Sequence, residues 1–291
     1  MDIANLRAFI AVVERGSFSQ AANDLFITQP AVSKRISALE QSLGHTVFDR
    51  ISRRAVLTPA GETLLPSARR VLAELESCQS HLDSLDRKIA GSLQLATSHH
   101  IGLRRLPPLL RAFNAQYPQV DLRLHLMDSE DAVARVADNS LELAVVTLPP
   151  NPPSGVQVRP IWLDHLRFAV APDHPLGQIA QPATQQLAEH TAILPTRGTV
   201  TRRVADAVLT AFDLSLPKVM ETNYLETNKV LAAAGLGWTL IPESMLDDSL
   251  VALDLPDIGA TRELGLVLHS QRTLGRAAEC FVEMLKGVHA G

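Results

Sequence analysis

Apolar residues at the start of the chain recur with the period of a helix. Leu6, Phe9, Ile10 and Val13 make one stripe that ends at Gly16. Ser17 to Leu25 reads as a short second helix, with Ser19 as its N-cap and Ala21 and Ala22 small enough to let a neighbouring helix come close. Phe26 to Thr28 reads as a tight turn. A third helix is predicted over Gln29 to Leu43, capped by Thr28, with Pro30 in a first turn whose amides have no intrahelical partner anyway. Within it Val32, Ile36, Leu39 and Leu43 share one face, leaving Gln29, Ser33, Lys34 and Ser37 elsewhere. Gly44 stops this helix. Val47-Phe48 and Val56-Leu57 then read as two short strands whose connection carries Arg50, Arg53 and Arg54.

Two stacked helices followed by a basic hairpin make an all-α winged helix-turn-helix head, residues 1–58. The exposed set on the third helix holds the donor and acceptor types that meet phosphate oxygens and base edges in a major groove. Gln29, Pro30, Ser33 and Lys34 are expected at base edges or the nearby sugar-phosphate, and Arg35, Arg50, Arg53 and Arg54 on phosphates. Ion pairing of Arg35 or Arg50 with Glu40 or Asp49 is the structural alternative.

The segment SFSQAANDLFITQPAVSKRISALEQSLGHTVFDRISRRAVLTPAG resembles the DNA-binding part of the LysR-type transcriptional regulators, and the likeness covers residues 2 to 62. The resemblance implies a transcription factor rather than an enzyme, with promoter DNA, RNA polymerase and a second copy of the chain as partners.

Thr58-Pro59 marks a new helix start. Along it Leu64, Ala68, Val71, Leu75, Cys78, Leu82, Leu85 and Ile89 alternate spacings of 4 and 3, a heptad seam. Residues 59–90 are therefore expected to be a long linker helix, about 1.5 Å per residue, that pairs two chains into a homodimer or homotetramer. Packing of the seam on the chain's own C-terminal part is the alternative. Pro66 predicts an early bend.

From Gly91 the pattern changes to alternating strands and helices, an α/β domain over 91–291. Strands are expected at Ser92–Thr97, Asp121–Met127 and Leu143–Thr147, with helices at Leu103–Tyr117 and Asp128–Asp138 between them. After the Pro-rich loop Pro149–Pro153, a second run begins at Leu166–Val170. It continues through a strand at Thr191–Leu194, a helix near Thr201–Phe212, a strand at Lys218–Glu221, a helix at Leu225–Ala234 and a strand at Trp238–Ile241. A strand at Glu263–Leu268 and a helix at Thr273–Val288 close the chain. The motifs LELAVV, PDHPLG and VLAAAGLGWTLIPESM extend the LysR-type resemblance. They imply an effector-binding domain of two Rossmann-like subdomains with the type 2 periplasmic solute-binding fold, subdomain I about 91–161 and 269–291, subdomain II about 162–268. Hinge closure on a small ligand is the expected motion.

Ligands in such sheets sit at the carboxyl ends of strands beside helix N-termini. That rule nominates Thr97, Ser98, His99, His100, Asp128 and Thr147 in the first half, and Thr196, Gly198, Thr199 and Asn223 in the second. The set is rich in hydroxyls and the chain has only 4% aromatic residues, so a small polar anion is expected, with His99, His100 or Arg197 adding charge. Thr97-Ser98-His99-His100 also resembles the cysteine-biosynthesis, sulfur-sensing branch of the family, which implies a sulfur oxyanion. An apolar or aromatic acid is the alternative effector, and a solute-binding protein the alternative class.

The net charge of -4 comes from the C-terminal part: residues 90–291 hold sixteen Lys or Arg against twenty-one Asp or Glu, and residues 1–64 hold seven against six. A DNA-binding head needs only a local cluster of cations, so the bulk charge is neutral on this point. Met1–Gly16 lacks a positive segment followed by an apolar run, and a cytoplasmic protein with no membrane contact is expected. Cys78 and Cys280 read as reduced packing residues. No hydrolase, nucleotide-binding or zinc motif is present, and the adjacent His99 and His100 have no evident third ligand, so no cofactor or metal is expected.

Overall fold

The computed structural model describes residues 2–51, 54–83, 89–255 and 259–287. The chain divides into two compact units near residue 88.

In the first unit α1 (Ile3–Arg15) is capped by the Asp2 carboxylate, which accepts from the Ala4 amide at 2.9 Å, and ends at Gly16 in the left-handed region, φ 62°. Next come α2 (Phe18–Asp24) and α3 (Gln29–Leu43). The N-cap of α2 is Ser17, not the expected Ser19, which lies inside the helix. Phe9, Val12, Val32, Ile36 and Leu39 are buried together with Phe48, whose ring lies 5.3 Å from that of Phe9. Each such side chain contributes roughly 1.5–3 kcal/mol by leaving water.

The wing is an antiparallel pair, β1 (Phe48–Ile51) and β2 (Arg54–Leu57), in register Phe48 to Leu57 and Ile51 to Arg54. Backbone amides tie it to the head: that of Ala55 donates to the Gly16 carbonyl, and that of Val47, just before β1, to the Glu40 side chain at Oε1, 2.9 Å away. Thr58 then caps α4 (Pro59–Asp83), its hydroxyl accepting from the Gly61 amide.

The expected seam on α4 divides in two. Leu64 and Ala68 belong to the head's core, whereas Val71, Leu75 and Cys78 are exposed on the chain taken alone. The side chain of Leu82 and the whole of Leu85 lie outside the described residues. Ile89 packs on the core of the second unit, so the seam stops short of it.

The second unit is a nine-stranded sheet, among the described residues, flanked by helices. Its first half is β3 (Gly91–Thr97), β4 (Val120–Leu126) and β5 (Leu143–Thr147), with α5 (His99–Arg104), α6 (Pro107–Gln116) and α7 (Ser129–Ala137) between them. The single helix expected over Leu103–Tyr117 is two, because Pro107 and Pro108 cannot donate into a continuing ladder. The 15-residue β6 (Val156–Val170) then crosses to the other half. That half holds β7 (Ala192–Leu194), α8 (Val200–Ala211), β8 (Val219–Glu221), α9 (Leu225–Ala233), β9 (Trp238–Pro242) and the two-residue β10 (Val251–Ala252). Finally β11 (Ala260–His269) runs back antiparallel to β6, and α10 (Arg276–Gly287) packs on the first half.

The strand order β4-β3-β5-β11-β6-β9-β7-β8 makes β6 and β11 the shared centre of one continuous sheet. The return crossing lies earlier than expected. Leu264, Leu266 and Leu268 belong to the core of subdomain I and Ala260 to that of subdomain II, so the boundary on β11 falls between Ala260 and Leu264 instead of at 268.

Candidate functional site

The head offers one face of α3. Its apolar face is buried, leaving Gln29, Pro30, Lys34 and Ser37 exposed and Ser33 and Arg35 half-buried. Gln29 Nε2 donates to Ser33 Oγ at 3.0 Å, which links the two polar side chains one turn apart. The first turn of α3 holds no acidic residue, so the positive end of the helix faces outward uncountered. Glu40 is occupied by the Val47 amide and makes no ion pair with Arg35 among the described residues. The backbones of Arg50 and Arg54 are placed in β1 and β2, while Arg53 and the side chains of Arg50 and Arg54 lie outside the described residues.

The second unit holds a narrow cleft of about 60 Å³ between its halves. A buried water needs roughly 10–15 Å³ on this measure, so the space fits only a few non-hydrogen atoms. Of the ten residues nominated from strand ends, Ser98, His99, His100, Asp128, Thr147, Thr199 and Asn223 line it. Three do not. Thr97 is fully buried and donates to the Val145 carbonyl at 2.7 Å, Thr196 bonds to Asn223, and Gly198 sits at the left-handed turn before α8, its carbonyl held by Arg203. Arg197 is exposed and outside the lining. The four-residue likeness to the sulfur-sensing branch is thereby split, since Thr97 faces away from the cleft.

The charge in the cleft comes from residues that the strand-end rule omits. Arg262 on β11 has a side chain only 3% exposed; its Nε and Nη2 each lie 2.9 Å from Asp164 Oδ2 on β6, and its Nη1 bonds the Thr201 hydroxyl. Burial lowers the pKa of Arg262, and the Asp164 carboxylate opposes that shift. Arg262 Nη2 also lies 3.3 Å from His100 Nε2. Burial first, then the nearby Arg262, Arg105 and Arg104, push the His100 pKa down to about 2, so His100 is neutral and cannot supply the positive charge expected of it.

Three contacts cross the cleft. Glu130, at the start of α7, accepts through Oε1 from the Val200 amide in the first turn of α8, at 2.8 Å. Asn223 Nδ2 donates to Asp128 Oδ2 at 2.8 Å, its orientation set by Oδ1 accepting from the Thr196 amide. The rings of His99 and Tyr224 meet edge-on with centroids 4.5 Å apart. Among the described residues no cluster of His, Cys, Asp and Glu is arranged to hold a metal ion.

Both halves of the chain match known family models. Residues 3–62 match the bacterial regulatory helix-turn-helix protein, lysR family, and residues 86–290 match the LysR substrate binding domain. The chain belongs to the LysR family. It is a DNA-binding transcriptional regulator and not an enzyme. A probable RuBisCO transcriptional regulator of Cyanidioschyzon merolae is 31% identical over 97% of this LysR-type chain and 97% of its own length. The solved structure of full-length CbnR with its target DNA is 21% identical, with a TM-score of 0.70 over 99% of this chain and all of that one. The CcmR regulatory domain of Synechocystis PCC6803, solved in complex with 2-PG, is 21% identical, with a TM-score of 0.61 over 68% of this chain and 97% of its own.

Among the residues that sequence reasoning missed, Arg262, Asp164 and Glu130 carry no local signal, whereas Thr201 lies only two residues beyond the nominated Thr199. Arg262 stands in a strand that alternates as if one face were wet, and Glu130 is an ordinary first-turn acid of a helix.

Proposed function

We propose that this LysR-type regulator binds promoter DNA as a homodimer or a homotetramer and that a small anionic effector in the cleft changes the placement of its paired heads. The observation that carries the effector reading is the lining: hydroxyls of Ser98, Thr147, Thr199 and Thr201, amides at the start of α8 and the buried Arg262. An aromatic acid is disfavoured because, among the described residues, no Phe, Tyr or Trp lines the cleft. The 2-PG complex of CcmR supports a small anion by analogy of fold. Calorimetric titration with 2-PG, sulfate, sulfite, thiosulfate and small carboxylates tests the proposal. Binding of one of these anions, with a changed promoter footprint, is the expected result; binding of bulky aromatic acids alone refutes it.

Pairing of two chains rests on the exposed stretch Val71, Leu75 and Cys78 of α4, which a second copy would cover. The site of action is the cytoplasm, with RNA polymerase as the further partner; among the described residues no helix is long and apolar enough to cross a membrane. On DNA, Gln29, Pro30, Ser33 and Lys34 are assigned to base edges and adjoining backbone, and Arg35, Arg50, Arg53 and Arg54 to phosphates. Gel shifts across a salt series separate the roles. Arg53→Ala should weaken binding to all sequences and reduce the salt slope by about 0.9, whereas Ser33→Ala or Gln29→Ala should relax discrimination. Equal losses on operator and random DNA for all three variants would contradict the assignment.

A further inference from the structure

The cleft contains an acid of the chain's own. Glu130 leaves subdomain I and sets its carboxylate on the Val200 amide, at the positive end of the twelve-residue α8 in subdomain II, where an incoming oxyanion would find its best donors. Asp128, two residues earlier, reaches the same opposite half through Asn223. Arg262, the one Arg or Lys in the cleft lining among the described residues, is already matched by Asp164. With Glu130 in place, an anion entering the cleft meets two carboxylates, a neutralised guanidinium and about 60 Å³ of space. Charge and volume therefore make the two acids mutually exclusive.

We propose that Glu130 is a built-in surrogate for the effector: its carboxylate latches the cleft shut in the free protein, and the effector anion takes over the Val200 amide only when Glu130 withdraws. This rests on the reading of the cleft as an anion site and adds how occupancy is sensed. A ligand shifts a two-state equilibrium only by its differential affinity, and a competing internal group provides that difference. Binding of the effector then exchanges a link between the subdomains for a link to a free molecule, and so releases one half of the domain from the other.

The test uses full-length protein with Glu130→Ala and the near-isosteric Glu130→Gln, titrated with inorganic phosphate and with sulfate. Removing one charge-assisted hydrogen bond from the competing state should tighten anion binding about tenfold in Glu130→Ala. Glu130→Gln, which keeps an acceptor but loses the charge, should fall between. Weaker binding in both variants would make Glu130 a direct effector contact and overturn the proposal, as would unchanged affinity. Hydrogen exchange of the ligand-free proteins decides the latch independently of any ligand. Amides of residues 222–225, across the cleft from Glu130, should exchange faster in Glu130→Ala; a change confined to residues 199–203 overturns the latch. If no protein binds either anion while exchange at 222–225 rises, the anion reading fails and the latch stands.

Discussion

The ion pair between Arg262 and Asp164 lies at the centre of the sheet with side chains 3% and 2% exposed, and its removal can be worked through from the structure. Replacing Arg262 with Met leaves the Asp164 carboxylate buried with a single remaining cation, Arg105, whose Nη2 stands 3.7 Å away and is partly exposed to solvent. Breaking a buried pair from one side costs roughly 3–5 kcal/mol, and the residual pull of Arg105 points to the lower end. The Thr201 hydroxyl also loses its partner, about 1 kcal/mol more. Arg262→Met should therefore destabilise the second unit by about 4 kcal/mol. The double variant Arg262→Met with Asp164→Leu removes both charges together and should return to within about 1 kcal/mol of the parent, about 3 kcal/mol more stable than the single variant. Both tryptophans of the chain, Trp162 and Trp238, lie in the second unit, so their emission during urea unfolding reports on that unit without interference from the head. A cost below about 1 kcal/mol for the single variant, or a double variant no more stable than the single, would refute the reasoning.

Three other outcomes follow from the same structure. His100 is held neutral, with its folded pKa depressed to about 2 from 6.5, so its contribution is intact above pH 6.5 and is lost as the pH falls from there towards 2, where the unfolded chain takes up the proton first. Between pH 7 and 5 this should remove about 2 kcal/mol in urea titrations, a loss that His100→Asn abolishes; equal pH slopes for the two proteins would count against it. Leu75→Glu places a charge on the exposed stretch of α4 and should yield monomers in sedimentation at micromolar protein, whereas an unchanged sedimentation coefficient would remove α4 from the interface. Gly265→Ala puts a Cβ 2.2 Å from the Arg159 carbonyl oxygen and should cost about 1–3 kcal/mol in thermal melts, while Gly259→Ala, with nothing within 4 Å, should cost almost nothing.

The head was legible because its signals are local. Val32, Ile36 and Leu39 repeat at helical spacing, and glycines follow the ends of α1 and α3; sequence reading misplaced the cap of α2, Ser17 instead of Ser19, and drew the wing strands too short, since Arg50 and Arg54 stand in β1 and β2 and not in their connection. The α/β order was equally readable, since short buried runs such as Leu143–Thr147 alternate with amphipathic helices. Crossing strands were not. Pro160 looks like a break before Leu166, yet β6 passes through it because Pro160 faces Gly265 at a bulge where the missing side chain lets the Arg159 carbonyl close in. The cleft was half legible for a related reason. Strand-end residues such as Ser98 and Asn223 follow from topology, but Arg262 and Asp164 face each other across 98 positions of sequence, and no window of neighbours reveals that pairing.

The unbroken passage of β6 and β11 through both halves has a mechanical consequence. Fifteen residues of strand at about 3.3 Å each form a beam near 50 Å long, laddered to its antiparallel partner along ten positions. Opening or shutting the cleft must therefore bend this two-ply ladder, which is interrupted only by the bulge where Pro160 faces Gly265, instead of turning loose pivots.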